Sequence, residues 1–264
     1  MIFPKGLEFY QFVIKVGRII MEKGDCMGIF DFLFSGGAES QLKKHIQRLN
    51  NLNTPQEERM ASAQWLAQNK SPEAIDGLLR RFSLTYEKQM KDIEEKEYLY
   101  KLLLGIGADT IEPTKNWLKR NRNFAFPLRL LENLQGEDDT VTFLIELLSL
   151  ENDLFKPEKK RQLIIKLGDY TDSRIIEAVG PHIQDFDEEV RLAALETLHN
   201  QNDSQCHQLF LDALCNPKEE SNRLKIRIAE IFEQRNWDLK DRSSQVQEIT
   251  PYGWIVNNNR LQRG

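Results

Sequence analysis

DFDEEVRLAALETL (185–198) opens on an acidic turn, sets a Val-Arg pair at 190–191, places small alanines at 193 and 194, and closes on Leu198. Small residues here permit close approach by another helix, and the large apolar residue near the end marks the buried side. Working outward from Leu198, large apolar residues stand near the ends of successive candidate helices at Leu66, Leu103, Leu134, Leu167 and Phe232. Neighbouring anchors lie 31 to 37 residues apart, a range suited to a repeated pair of helices.

Two further features keep this register. Seven residues before the anchors stand Arg59, Lys96, Lys160, Arg191 and Lys225, with Pro127 the one exception. Five or six residues after the first five anchors stand Ser71, Asp109, Asp139, Asp172 and Asp203. A short side-chain oxygen satisfies an orphan N–H at a helix start, so each is predicted to cap the second helix of a pair. Gly105, Gly136 and Gly168 fall in the turns between paired helices, where a left-handed C-cap costs glycine least.

The segment 185–198 resembles the first helix of a HEAT repeat, and EERMASAQWLAQNKSPEAIDGLL (57–79) resembles the short HEAT-like repeats also found in phycobilin lyases. The resemblance covers residues 38–237. It implies an all-α fold: an α-solenoid, or α-α superhelix, of about six HEAT-like helical pairs sharing one continuous core. It also implies that the recurrent basic residues Arg59, Lys96, Lys160, Arg191 and Lys225 form a structural ladder with turn acids such as Asp185 and Asp187. Trp65 and Trp117 are expected in packing roles.

Outside the repeats lie two terminal segments. Residues 1–37 contain an amphipathic stretch and a second plausible start at Met27, preceded by Glu22-Lys23-Gly24, whose purine-rich codons resemble a bacterial ribosome-binding site. Residues 1–26 are therefore a candidate for upstream sequence, and 27–37 for a hydrophobic plug on the first helices. Residues 238–264 form a C-terminal cap, in which WIV–NNN–RLQ reads as a small hairpin with Asn-rich turn residues.

The chemistry-bearing residues are sparse. The chain has 264 residues, of which 36 are Lys or Arg and 41 Asp or Glu, for a net charge of −5. That balance opposes nucleic acid as the main partner, because phosphate binding rests on a positive field. An odd count of three cysteines makes no disulfide framework and suits a reducing, cytoplasmic location. None of His45, His182, His199 or His207 is followed by Glu, so the His-Glu pairs of HEAT-repeat hydroxylases are missing. Cys206, His207 and Cys215 are spaced poorly for chelation. No membrane span, metal or cofactor is expected.

The informative feature is a run of cations, Lys115, Lys119, Arg120, Arg122 and Arg129, unbroken by any Asp or Glu. Lys115, Lys119 and Arg122 are expected to share one helical face with Arg80 or Arg81 of the preceding pair. Together with Arg120 they form a candidate binding stripe on the concave side. The leading expectation is a non-catalytic HEAT-repeat scaffold that binds a partner protein there. The resemblance also admits a nucleic-acid binder or DNA glycosylase, and a tetrapyrrole lyase or chaperone-like subunit.

Overall fold

The computed structural model describes residues 28–87, 89–201 and 204–264, with the backbone alone over 28–36. The expectations for residues 1–26, for the docking of the apolar side chains near 27–34 and for Asp203 as a cap lie outside the described residues. The described chain is helical apart from one two-stranded hairpin, and it divides into compact units Met1–Leu130 and Leu131–Gly264. None of its helices is long and apolar enough to cross a membrane.

The first unit contains α1 (Gly28–Asn50), α2 (Gln56–Asn69), α3 (Pro72–Arg80), α4 (Gln89–Ile106) and α5 (Ile111–Arg120). The boundary expected at residue 38 falls inside α1, which runs through it without a break. α1 packs on α2 and α3, α2 on α3 and α4, and α3 on α5. Helix α3 shows why the sequence folds this way. Ser71 Oγ accepts from the Ala74 N–H at 3.2 Å, and Pro72 occupies the first turn, where its missing donor is harmless. Ala74, Ile75, Leu78 and Leu79 are then buried along one face. Gly77 lets α1 approach closely, since a Cβ there would lie 2.6 Å from Ile46 Cγ1.

The turns correct part of the capping pattern. Gly105 is helical, and the left-handed residue after α4 is Gly107, with φ +86°. Asp109 sits in a single 3-10 turn and does not cap α5. α2 ends without glycine, on Lys70 at φ 58°. α5 stops at Arg120 because Asn121 turns extended, and the Asn121 Nδ2 donates back to the Trp117 carbonyl at 2.8 Å. Helix α6 (Ala125–Gln135) spans the division between the units.

The second unit continues with α7 (Glu137–Ser149), α8 (Glu158–Leu167), α9 (Ser173–Val179), α10 (Glu188–Gln201), α11 (Ser204–Leu214), α12 (Asn222–Gln234) and α13 (Ser243–Ile249). α8 packs on α7 and α10, and α10 on α9, α11 and α12. Asp172 caps α9 through the Arg174 N–H at 2.9 Å, and Ser221 caps α12 through the Leu224 N–H at 3.1 Å. Asp139 lies within the first turn of α7, whose N-cap position is Gly136 at φ +85°. Gly168 ends α8 in right-handed conformation, so the left-handed cap expected there is not formed. Of the anchors, Leu66, Leu103, Leu167, Leu198 and Phe232 are buried and Leu134 is half-buried.

The tail is docked. Strands β1 (Trp254–Asn257) and β2 (Arg260–Arg263) pair antiparallel through a turn whose residues Asn258 and Asn259 both have positive φ. Such a two-residue turn matches the twist of the strands and favours asparagine. Trp254 and Leu261 are buried, the hairpin packs on α12 and α13, and the Leu239 N–H donates to the Asn259 carbonyl at 2.8 Å.

Candidate functional site

A cleft of about 1130 Å³ lies within the first unit, between α1, α3 and α5. Its apolar surface comes from Leu42 and Ile46 on α1, Pro72 on α3 and Pro113 on α5. Its amides are Gln47, Asn50, Asn51 and Asn116, and its charges are Glu39, Glu73, Asp76 and Glu112 against Lys43, Arg80 and Arg120. Helical spacing explains α5's share. Thr114, Trp117 and Leu118 face inward, while Glu112, Asn116 and Arg120, four apart, line the cleft. Among the described residues the lining holds no hydroxyl, thiol or imidazole.

Two features organise the cleft. Asp76 Oδ2 accepts from Arg80 Nε at 2.8 Å, while its Oδ1 accepts from Arg120 Nη2 at 3.1 Å, so one carboxylate joins α3 to α5. The Arg120 Nε is steadied by the Asn116 carbonyl at 3.1 Å. Both guanidiniums remain largely exposed. Beside them, Asn50 Nδ2 donates to the Ile46 carbonyl at 2.9 Å and the Gly77 carbonyl at 3.0 Å. These bonds fix the amide, leaving Asn50 Oδ1 buried and without a partner among the described residues. A buried acceptor in that state favours a ligand that donates an N–H or O–H.

The cationic run does not gather as one stripe. Arg80 and Arg120 meet on Asp76 in the cleft. Arg81 has no exposed surface at all; its Nη2 lies 2.7 Å from Asp92 Oδ1 and its Nε 2.7 Å from Glu95 Oε1. Lys115 and Lys119, four apart, share a side of α5 and are not among the described residues that line the cleft, although Lys115 lies 3.5 Å from cleft-lining Glu112. Arg122 falls in the loop beyond the helix end, so it cannot continue their face. Arg129 forms two hydrogen bonds with Glu97, at 2.8 and 2.7 Å, and stacks over Tyr100 with 3.8 Å to the ring centre.

Of the recurrent basic residues, Arg59, Lys160 and Arg191 join acids on neighbouring elements, while Lys96 pairs within its own helix. Arg59 meets Glu95 Oε2 at 2.5 Å, and Lys96 meets Asp92 at 2.7 Å, so Arg59, Arg81, Asp92 and Glu95 form one buried ionic cluster with half-buried Lys96 at its edge. Burial pushes the Asp92 carboxyl up, but hydrogen bonds and charge from Lys96 and Arg81 outweigh it and hold the group below the carboxylate range. In the second unit Lys160 meets Asp185 at 2.8 Å and Arg191 meets Glu219 at 2.9 Å. Arg191 also donates to the Asp185 and Phe186 carbonyls, both at 3.0 Å. Lys225 is half-buried and has no carboxylate partner among the described residues.

The histidines are packed against neighbours. His45 stacks on Trp65 and His207 on Trp237, His182 faces Asp185 at 3.6 Å, and His199 accepts from Arg235 Nε at 3.2 Å. Cys206 and Cys215 are buried thiols. Among the described residues no group of three or more His, Cys, Asp or Glu is placed to hold a metal ion. Asn50, Asp76 and Asn116 escaped sequence reasoning. The i, i+4 pair Asp76–Arg80 on the polar side of α3 was the one signal that pointed there. The class defined by these observations is an all-α protein with a mixed polar and apolar cleft. Set against protein-family models and curated proteins, the chain matches none.

Proposed function

We propose that the chain is a non-catalytic, cytoplasmic scaffold, an α-solenoid of HEAT-like pairs, that holds a segment of a partner protein along the cleft of α1, α3 and α5. The observation that carries this reading is the pairing of a fixed, unpartnered acceptor, Asn50 Oδ1, with the Arg80–Asp76–Arg120 bridge in one cleft. A peptide supplies what that lining lacks: backbone N–H groups for Asn50, side-chain carboxylates for the exposed guanidiniums, and apolar groups for Leu42 and Ile46. With four carboxylates against three cations, the lining carries no dominant positive field, which disfavours a nucleic-acid backbone.

The test begins with affinity purification of the partner on the full chain, followed by titration calorimetry. Arg80→Glu with Arg120→Glu is expected to weaken binding about tenfold or more and to change its salt dependence. Lys119→Glu with Arg122→Glu, neither of which lines the cleft, is expected to leave affinity within about twofold, the scale of a surface change outside the site. Equal affinity of wild type and the Arg80/Arg120 variant would overturn cleft binding, and reproducible turnover of a small molecule would overturn the non-catalytic role.

A further inference from the structure

At the cleft one carboxylate holds two arginines from different helices. Asp76, with 21% of its side chain exposed, gives Oδ2 to Arg80 and Oδ1 to Arg120, whose own side chains are 62% and 65% exposed. A guanidinium carries five N–H donors in a planar fork. Arg80 commits only its Nε–H, to the shared carboxylate. Arg120 commits its Nε–H to the Asn116 carbonyl and one Nη2–H to Asp76. The remaining donors, both Nη groups of Arg80 and the Nη1 edge of Arg120, have no partner among the described residues.

Two cations on one anion leave a unit of positive charge. On α3 Glu73 lies in the first turn and Arg80 in the last; on α5 Glu112 lies in the first turn and Arg120 in the last. Each acid is thus about 10–12 Å from the arginine of its own helix. Among the described residues neither acid pairs with Arg80 or Arg120, and Glu112 faces Lys115 at 3.5 Å. A carboxylate matches what is left. It is a planar monoanion, and N–H···O bonds from guanidinium edges to its two oxygens are the strong and geometrically specific form of such contact. A phosphate group, nearer two negative charges, asks for more than one uncompensated cation.

We infer that Arg80 and Arg120 act as one clamp for a single carboxylate of the held segment, and that Asp76 is the residue that positions them; the inference rests on the reading of the cleft as a peptide site. Asp76 orders two long side chains before a ligand arrives, so less of their freedom is lost on binding. The same carboxylate also lowers the net charge that a ligand meets. These effects have opposite signs. Positioning makes Asp76 a help to a bound carboxylate, whereas charge alone makes it a hindrance, so its removal separates the two.

The test titrates the full chain with acetate at constant ionic strength while the Nε–Hε NMR signals of Arg80 and Arg120 are followed; Arg80→Lys and Arg120→Lys assign them. Both signals are expected to move along one saturation curve with a midpoint below about 100 mM. Asp76→Asn should weaken acetate binding about threefold or more and give the two arginines separate curves. Arg120→Lys keeps the charge but loses the planar fork, so it should also weaken binding at Arg80, and thermal melts check that each variant is folded. N-acetylglycine and N-acetylglutamate α-amide then distinguish a chain-terminal carboxylate from a side-chain one, the tighter ligand naming the source. Unchanged or tighter acetate binding in Asp76→Asn, independent curves in the wild type, or inorganic phosphate binding more tightly than acetate overturns the inference. The peptide reading fails separately, as no partner captured by a photoreactive group at Asn116 while the acetate curves persist.

Discussion

Arg81 shows how one side chain can serve a different end from its sequence neighbour. Arg80 reaches outward to Asp76, while Arg81 turns inward to Asp92 and Glu95. Removing one member of a buried ionic group strands its partners, at a cost of about 3–5 kcal/mol. Arg81→Ala is therefore expected to lose that much in urea unfolding, whereas Lys119→Ala stays within about 0.5 kcal/mol. Denaturation midpoints check both, and an Arg81→Ala chain as stable as wild type would count against the cluster. The sequence held a sign of this cluster: Asp92, Glu95, Leu99 and Leu103 follow one helical stripe, so its first members are acids bound for the inside. Arg81 itself was illegible, because a cation at a helix end reads equally well as a surface group.

Acid sensitivity belongs to the same scale. His45, His182 and His199 are held below the ordinary imidazole value, each chiefly by burial, although Asp185 pulls His182 the other way. The unfolded chain therefore takes up protons first, and stability is lost as pH falls through about 6.5. Asp92 and Asp185 are depressed despite burial, through Lys96 with Arg81 and through Lys160 respectively. Their contribution is present above about pH 4 and disappears as pH falls further. Melting temperatures at pH 7.5, 5.5 and 3.5 should decline in two stages; a flat profile down to the last of these would refute the assignment.

Among the elements, α3 is the most constrained. It touches α1 through Gly77 and supplies Asp76 and Arg80 to the cleft. Gly77→Ala would gain about 1 kcal/mol of helix propensity but force a Cβ to within 2.6 Å of Ile46 Cγ1. Overpacking of that kind costs about 1–3 kcal/mol, so net destabilisation is expected, together with a displaced Asn50 whose Nδ2 binds the Gly77 carbonyl. Thermal melting tests the first consequence, and a rise in melting temperature would contradict it. The helices themselves were legible because apolar spacing and the caps Ser71 and Asp172 are local signals. Helix ends were less so: Asn121 stops α5 before Arg122, and that single residue decides whether three cations can share a face. The hairpin was readable from its asparagines, since a two-residue turn demands positive φ at both positions.

At the scale of the molecule, the net charge of −5 says little about the cleft, whose balance is set by which residues α1, α3 and α5 bring together. The helical class is legible because apolar spacing and caps are local signals present along the chain; the cleft is not, because Asn50, Asp76 and Asn116 are distant in sequence and share no motif. Cleft occupancy is tested most directly by site-specific photo-cross-linking in the native cell. A photoreactive side chain at Asn116, on the cleft wall, should capture one predominant partner protein, and the cross-linked product should disappear with Arg80→Glu and Arg120→Glu. The same group at Ser244, exposed on α13, should capture none of it. Equal capture from both positions, or capture from Ser244 alone, would contradict a partner held in the cleft.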